Sequence, residues 1–379
     1  MNDYSEKGLL PAGLADMLPP AAAREARISR TLMEVFAGNG YQQVKPPLIE
    51  FEEHLLEGSG AALASKMFRV MDPVSHRMMG IRTDITLQIA RVATTRMKQD
   101  PRPLRLSYSG QVLRVHGSQL RPERQFAQTG VELIGPEETT ADAELILLAR
   151  EALNALEVRN YSIDLTLPTL VPTICDGLGI DPGVAASARE ALDHKDAAAL
   201  ENYDTPLADI LIALLKTSGP AKGAIAALEK IALPDAAAAQ VAALKQVVAQ
   251  LEKSAPDLML TIDPGEFRGF EYQTGLSFTV FARGVRGELG RGGRYRLMDG
   301  EPASGFTLFL DSLMRAVPRR PADDRLYLPF GTELETGFAL RQEGWKTVVG
   351  LSAEADIAAE ARRLQCGQYL GPDGIKKLS

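Results

Sequence analysis

A chain of 379 residues, 45% hydrophobic and 24% charged, has the balance of a soluble globular protein and is too long for one ordinary core. Its net charge of −7 argues against a surface built to grip nucleic acid, which usually shows a basic face. Cys175 and Cys366 lie far apart with no CxxC, and no signal segment or apolar run of the ~20 residues that cross a membrane is present, so a cytoplasmic protein without disulfide, metal or membrane partner is expected.

From about Pro19 to Gly38, Ile28, Leu32, Val35 and Phe36 recur at helical spacing and predict an amphipathic helix. Asn39-Gly40 tolerates the left-handed backbone of a C-cap and stops it. Tyr41 to Val44 reads as a short strand, ended by Pro46-Pro47, which cannot donate to a ladder. Met67–Val70 and Met78–Arg82 read as strands joined by a turn at Asp72-Pro73. Thr83 or Asp84 then caps a helix through Leu87, Ile89 and Val92. Leu104–Tyr108 and Gln111–Val115 read as two strands, and the loop Gly117–Glu123 leads to a third, Gln125–Ile134. A helix over Ala141–Leu156 and a strand over Tyr161–Leu167 follow.

Past Pro168 the chain turns Ala-rich, with helical spacing and no strand signal. Pro206, Gly219-Pro220 and Pro234 cut this stretch, residues 170–257, into short helices, a helical insertion into a sheet domain. Strands return at Leu258–Ile262, Phe270–Tyr272, Leu276–Phe281 and Val285–Leu289. Gly290–Gly293 reads as a Gly-rich turn before Gly305–Leu310 and a helix near Asp311–Ala316. Pro318–Asp324 has linker composition, and two strand–helix alternations follow it: Leu326–Leu328, Leu334–Arg341, Thr347–Leu351 and Ala355–Leu364. The pattern predicts an α+β chain: an antiparallel sheet core flanked by helices over 1–318, and a small C-terminal α/β segment over 319–379. No P-loop, GxGxxG, HExxH or GxSxG stands in it.

Five segments stand in order. They are the helix–strand–proline unit ending at Val44-Lys45-Pro46-Pro47; Arg82-Thr83-Asp84-Ile85-Thr86; Arg114 with the loop Arg121-Pro122-Glu123-Arg124-Gln125-Phe126, then Gln128 and Glu132; Arg268-Gly269-Phe270-Glu271-Tyr272-Gln273-Thr274-Gly275; and Gly292-Gly293-Arg294-Tyr295 with Gly305-Phe306. Over about residues 10–318 they resemble the class II aminoacyl-tRNA synthetase core, the histidyl branch in particular: motif 1, RPEGT, motif 2, RGLDYY, and GGRYD with the start of motif 3. The resemblance implies a class II synthetase-like fold and a pocket for free histidine. Asp84, Thr86, Gln128 and Glu132 match the positions that hold the ammonium group. Arg114 and Arg268 match positions near phosphate and carboxylate oxygens, where a planar guanidinium binds two oxygens at once. Tyr272 matches one of the paired tyrosines near the imidazole. Without the resemblance the same residues have ordinary roles. Asp84 and Thr86 fit a helix cap, Arg114 and Glu132 a cross-strand ion pair, Gly292-Gly293 a turn, and Arg121 and Arg124 a solvated loop.

The departures point one way. Where the synthetase has a motif 3 arginine in Gly-Leu-Glu-Arg, this chain has Phe309-Leu310-Asp311-Ser312. Losing such a contact removes roughly 3–4 kcal/mol of transition-state stabilisation, and Phe309 crowds the ATP side. Asp84 is one methylene shorter than the family glutamate, Gln273 replaces the second tyrosine, and Arg296 replaces the aspartate of GGRYD, all expected to reshape the pocket. About 55 residues follow the linker, too few for an anticodon-binding domain of roughly a hundred. A core of this kind resembles the regulatory subunits of hetero-oligomeric ATP phosphoribosyltransferase, in the first step of histidine biosynthesis. That resemblance implies a dimeric subunit with no catalytic residue, metal or cofactor of its own. It joins a short-form catalytic subunit, is required for its activity and takes part in feedback inhibition by histidine, bound by Asp84, Thr86, Arg114, Gln128, Glu132, Arg268 and Tyr272. A divergent histidyl-tRNA synthetase is the alternative. A synthetase-derived RNA-binding module fits the acidic balance poorly.

Overall fold

The computed structural model describes residues 9–56, 63–117, 121–266, 273–319 and 325–378. The first helix forms as α1 (Ala21–Gly38), and Ile28, Leu32 and Phe36 are its buried stripe. Gly40 takes φ +81°, a left-handed value that suits a residue without Cβ, while Asn39 stays at −92°. Strands β1 (Gln42–Gln43) and β2 (Ile49–Phe51) and helix α2 (Glu52–Leu56) follow. β3 (Arg69–Met71) and β4 (Met78–Ile81) pair antiparallel, and β2 completes a three-stranded sheet on the other edge of β4.

After α3 (Thr86–Thr95), β5 (Leu104–Leu113) runs unbroken where two strands were expected. It pairs along its whole length with β6 (Gln125–Ile134), from Leu104 opposite Ile134 to Leu113 opposite Gln125, and that ladder carries it across Ser109-Gly110. α4 (Thr139–Ala155) and β7 (Tyr161–Thr166) fall where predicted. The Ala-rich stretch forms α5 (Leu170–Gly177), α6 (Pro182–Asp193), α7 (Ala197–Leu200), α8 (Leu207–Leu215), α9 (Ala221–Leu228) and α10 (Asp235–Ser254). It is not purely helical: Gly219–Pro220 forms β8, antiparallel to β9 (Met259–Ile262). A proline is tolerated there because β8 is the last strand of its sheet.

Two expectations around the glycines are corrected. Val285–Leu289 is a loop, and the Gly-rich run is a strand, β11 (Gly290–Arg296), between β10 (Gln273–Ala282) and β12 (Pro302–Phe309). A Cβ on Gly292 would lie 2.4 Å from the Gly305 carbonyl oxygen and 2.7 Å from the Phe278 ring, so glycine there answers to strand packing rather than to a turn. α11 (Leu310–Ala316) follows. The strand expected at 270–272 and most of the expected linker lie outside the described residues.

Among the described residues the main sheet has nine strands in the order β1-β5-β6-β12-β11-β10-β7-β9-β8, with β1–β5 and β7–β9 parallel and the other neighbours antiparallel. Side chains alternate across it. Ala127, Val131 and Leu133 of β6 join the larger core with Ile28, Leu32 and Phe36 of α1 and Leu145, Ala149 and Leu153 of α4. Phe126 and Ile134 belong to the opposite face, with Ile89 and Ala93 of α3.

The chain divides into two units, Met1–Pro318 and Arg319–Ser379. The second holds β13 (Arg325–Leu328), α12 (Leu334–Gln342), β14 (Lys346–Val349) and α13 (Ile357–Arg363), close to expectation. An unforeseen hairpin, β15 (Gln368–Gly371) and β16 (Gly374–Lys377), extends its sheet to β14-β13-β15-β16. Cys175 and Cys366 are buried and not joined in a disulfide. No described helix is long and apolar enough to cross a membrane.

Candidate functional site

The α3 face of the sheet carries the site. Alternation along β6 sets Gln128, Gly130 and Glu132 on that face, between Phe126 and Ile134. Pairing then fixes what lies beside them. Tyr108 of β5 stands opposite Gly130, and Gly305, Thr307 and Phe309 of β12 stand opposite Glu132, Gly130 and Gln128. Glycine is required at the crossing: a Cβ on Gly305 would lie 1.8 Å from Glu132 Oε2, and one on Gly130 would lie 2.6 Å from the Tyr108 hydroxyl.

Glu132 is 1% exposed. The Tyr295 hydroxyl donates to its Oε2 at 2.8 Å and the Tyr108 hydroxyl to its Oε1 at 3.3 Å. The Tyr108 hydroxyl also shares hydrogen bonds with Thr307 Oγ1 at 2.7 Å and Thr86 Oγ1 at 3.2 Å. Burial pushes the Glu132 carboxyl up to about 8, against the opposing pull of these hydroxyls, so it is mostly protonated near neutrality. Burial likewise raises the Tyr108 hydroxyl. The cross-strand ion pair with Arg114 does not form. Across the ladders Glu132 faces Leu106 and Gly305, while Arg114 lies beyond the end of β5, its guanidinium 4.9 Å from the Phe126 ring and its Nε donating to the Thr83 carbonyl at 3.4 Å.

At the other end Asp84 takes the capping role expected of it and also holds Gln128. Its Oδ1 accepts the Thr86 backbone N–H at 2.9 Å, a turn at the start of α3. Its Oδ2 accepts Gln128 Nε2 at 2.9 Å, and Gln128 Oε1 in turn accepts the Ile85 backbone N–H at 3.2 Å. The fold therefore gathers Asp84, Thr86, Gln128 and Glu132, with Asp84 close enough for its charge to act on Arg114. Arg268 and Tyr272 lie outside the described residues. Tyr108 and Thr307 were not anticipated, and Tyr295 was noted only as part of a motif. The Leu104-Leu106-Tyr108 alternation was the available signal for Tyr108, since it puts the tyrosine on the same face as two core leucines.

Around Phe309, on the expected ATP side, the protein's own charged and aromatic groups pair with one another. Arg121 is not in a solvated loop: its Nε lies 3.3 Å from Asp311, its Nη2 3.6 Å from Glu288, and its guanidinium stacks 3.8 Å over the Phe309 ring. Ser312 is buried and accepts from Arg315 Nη2 at 3.1 Å. Burial, offset in part by Arg121 and Arg315, raises the Asp311 carboxyl. Arg296, expected to alter the pocket, instead pairs with Glu137 at 3.1 Å and with the Gly300 carbonyl at the exposed end of β11. Gln273 donates to the Gly292 carbonyl at 3.4 Å. Among the described residues no group of three or more His, Cys, Asp or Glu is placed to hold a metal ion.

Residues 13–313 match a family model described as histidyl-tRNA synthetase. A protein of Rhodospirillum centenum, described as ATP phosphoribosyltransferase regulatory subunit, is 57% identical over 371 residues, which cover 98% of this chain and 96% of that one. A protein of the same description from Paramagnetospirillum magneticum is 52% identical over 378 residues, 100% of each chain. The solved structure of an ATP phosphoribosyltransferase regulatory subunit/histidyl-tRNA synthetase from Bacillus halodurans matches with a TM-score of 0.81 at 24% identity, over 93% of this chain and 96% of that one, a likeness of fold.

Proposed function

We propose, from the premise that this chain belongs to the family of ATP phosphoribosyltransferase regulatory subunits, that it is a cytoplasmic, non-catalytic subunit of that glycosyltransferase. It dimerises, joins a short-form catalytic subunit, is required for that subunit's activity, and conveys feedback inhibition by free histidine without binding nucleic acid. The contrast between the two ends of the site carries this reading. The amino-acid end keeps Asp84, Thr86, Gln128 and Glu132 in one network, while Arg121 on the nucleotide side is engaged by Asp311, Glu288 and Phe309. An arginine neutralised and stacked in this way does not serve to hold triphosphate charge.

Histidine fits the two ends differently. Its ammonium goes to Asp84 and Gln128, whose oxygens accept hydrogen bonds. Glu132 stands four positions further along β6, about 13 Å between Cα atoms at ~3.3 Å per residue, and carries a proton near neutrality. That distance and protonation favour the imidazole as its partner over the ammonium, with which the motif match grouped it. The motif match assigns the carboxylate to Arg114 and Arg268 and the ring to Tyr272. Feedback then requires histidine to bind one state of the assembly better than another.

The test is phosphoribosyltransferase activity of the short-form subunit from the same source, with and without this chain, across a histidine titration. Activation by this chain, reversed by histidine, is expected. No activation and no co-elution would overturn the reading, and histidine-driven ATP–pyrophosphate exchange would reinstate a synthetase.

A further inference from the structure

We infer that two copies of this chain associate through β3, the outer strands of their small sheets pairing antiparallel about a two-fold axis at Val70. This rests on the proposal that the protein dimerises and goes beyond it by assigning the surface.

The backbone of β3 supplies the first part of the argument. β4 lies between β2 and β3, so β3 is an outer strand among the described residues. Its ladder aligns Arg69, Val70 and Met71 with Gly80, Met79 and Met78. The Ile81 N–H donates to the Phe68 carbonyl at 2.9 Å, and the Asp72 N–H to the Arg77 carbonyl at 3.0 Å. Bonded positions alternate along an antiparallel strand, so Phe68, Val70 and Asp72 face β4, and the N–H and C=O of Arg69 and Met71 point outward. All three residues of β3 are exposed. Other outer strands are blunted against pairing: β8 by Pro220, β14 by Lys346, and β16 by Lys376 and Lys377. β3 has no proline, and its one charge, Arg69, is turned to Glu52 at 2.6 Å.

The side chains fit the same contact. Ile49, Phe51, Val70, Met79 and Ile81 share one face of the small sheet. The other face holds Gly80, where a Cβ would meet Met67 and Leu55, and further out Met71 and Met78. Val70, Met71 and Met78 are 43, 56 and 38% exposed, so the hairpin is apolar on both faces. A layer laid on one face covers only that face, whereas a strand added at the edge gives both faces a neighbour. A second copy does this in one register. With Val70 opposite its mate, Arg69 of each copy stands opposite Met71 of the other, and every outward group of β3 pairs, giving about four hydrogen bonds across the axis. The two three-stranded sheets become one of six strands. No charge is left without its partner, because Arg69 keeps Glu52, and Arg77, stacked 3.6 Å over the Phe51 ring, keeps Glu53. The hairpin is also ordered in advance: Asp72 accepts the Val74 and Ser75 N–H groups at 3.1 and 3.2 Å and closes its turn.

The experiment is sedimentation velocity of the full chain, wild type and Met71→Pro, over a range of concentrations, together with mild oxidation of Val70→Cys. Proline at 71 removes an outward N–H and leaves the bonds of Val70 to β4 in place. The expected result is a wild-type dimer whose dissociation constant rises at least about tenfold in Met71→Pro, with the far-ultraviolet circular dichroism unchanged. Across the axis the two Cα atoms at position 70 lie ~4.5 Å apart, within the range a disulfide spans, so Val70→Cys should form a linked dimer that the wild type does not. A wild-type dimer with no linkage through Val70→Cys would put the contact on another face and overturn only this inference. So would an undiminished dimer of folded Met71→Pro, or linkage of Val70→Cys to an added catalytic subunit in place of its own copy. If Met71→Pro misfolds, linkage of Val70→Cys decides the matter. A wild type that stays monomeric at every concentration would overturn the dimer itself.

Discussion

The Glu132 carboxyl makes the stability of the free protein depend on pH. Glu132 ionises near 4.5 when exposed and near 8 in the fold. Below 4.5 both states hold the proton and its contribution to stability is full. As pH rises the unfolded chain loses the proton first, and stability declines until about pH 8. The ligand-free wild type should therefore lose melting temperature between these limits relative to Glu132→Gln, the variant melting several degrees higher at pH 8. Parallel melting profiles for the two proteins would place the burial penalty elsewhere. Gly305 yields a second prediction at this scale. Its Cβ would occupy the space of Glu132 Oε2, so Gly305→Ala should cost roughly 1–3 kcal/mol in chemical denaturation and weaken histidine binding at least about tenfold. The roles of Asp84 show why residue-level reading leaves alternatives open. Capping a turn and holding Gln128 use different oxygens of the same carboxylate, and no spacing rule chooses between them.

At the scale of elements, Arg82 ties three of them together. Its Nε donates to the Gln111 carbonyl of β5 at 2.7 Å, and its Nη1 reaches the Pro46 carbonyl after β1 at 3.1 Å and Gln88 Oε1 of α3 at 3.3 Å. Gln88 continues the chain to Glu50 of β2 at 2.8 Å, which Arg91 of α3 also holds, at 2.9 Å from its Nε. Arg82 thereby fixes the approach to α3 that carries Asp84 and Thr86. Arg82→Leu leaves buried carbonyls without their donor and should cost about 3 kcal/mol by urea denaturation. Lysine has one donor centre against the planar fork and should rescue only partly. Elements with a clear period were legible: α1, α4, β6 and β7 fall where Leu, Ile and Phe spacing put them. β5 and β11 were misread because Ser109-Gly110 and Gly290–Gly293 carry turn chemistry locally, and only the neighbouring ladders override it.

At the scale of the whole molecule, the proposed function predicts that histidine sensing and activation of the partner are separable. Asp84, Gln128 and Glu132 lie buried or half-buried on the α3 face of the sheet, Asp84 and Gln128 bonded to each other and Glu132 to Tyr108 and Tyr295. Asp84→Asn should therefore weaken inhibition by histidine about tenfold or more while this chain still activates its catalytic partner. Joint loss of activation and inhibition would mean that the pocket also builds the partner interface. The sequence by itself determined the class of fold, the order of its five motif segments and the family, because spacing, proline and glycine chemistry and motif order are one-dimensional properties. It also located the residues that replace the glycine and the arginine of the synthetase motif, Phe309 and Ser312. Tertiary structure alone decided what those replacements do. Arg121 turns onto Phe309 and Asp311, Arg296 turns away to Glu137, and Tyr108, Tyr295 and Thr307 close around Glu132. These are pairings between strands far apart in the chain, and whether a carboxyl meets a cation, a hydroxyl or water is settled only when the sheet brings them side by side.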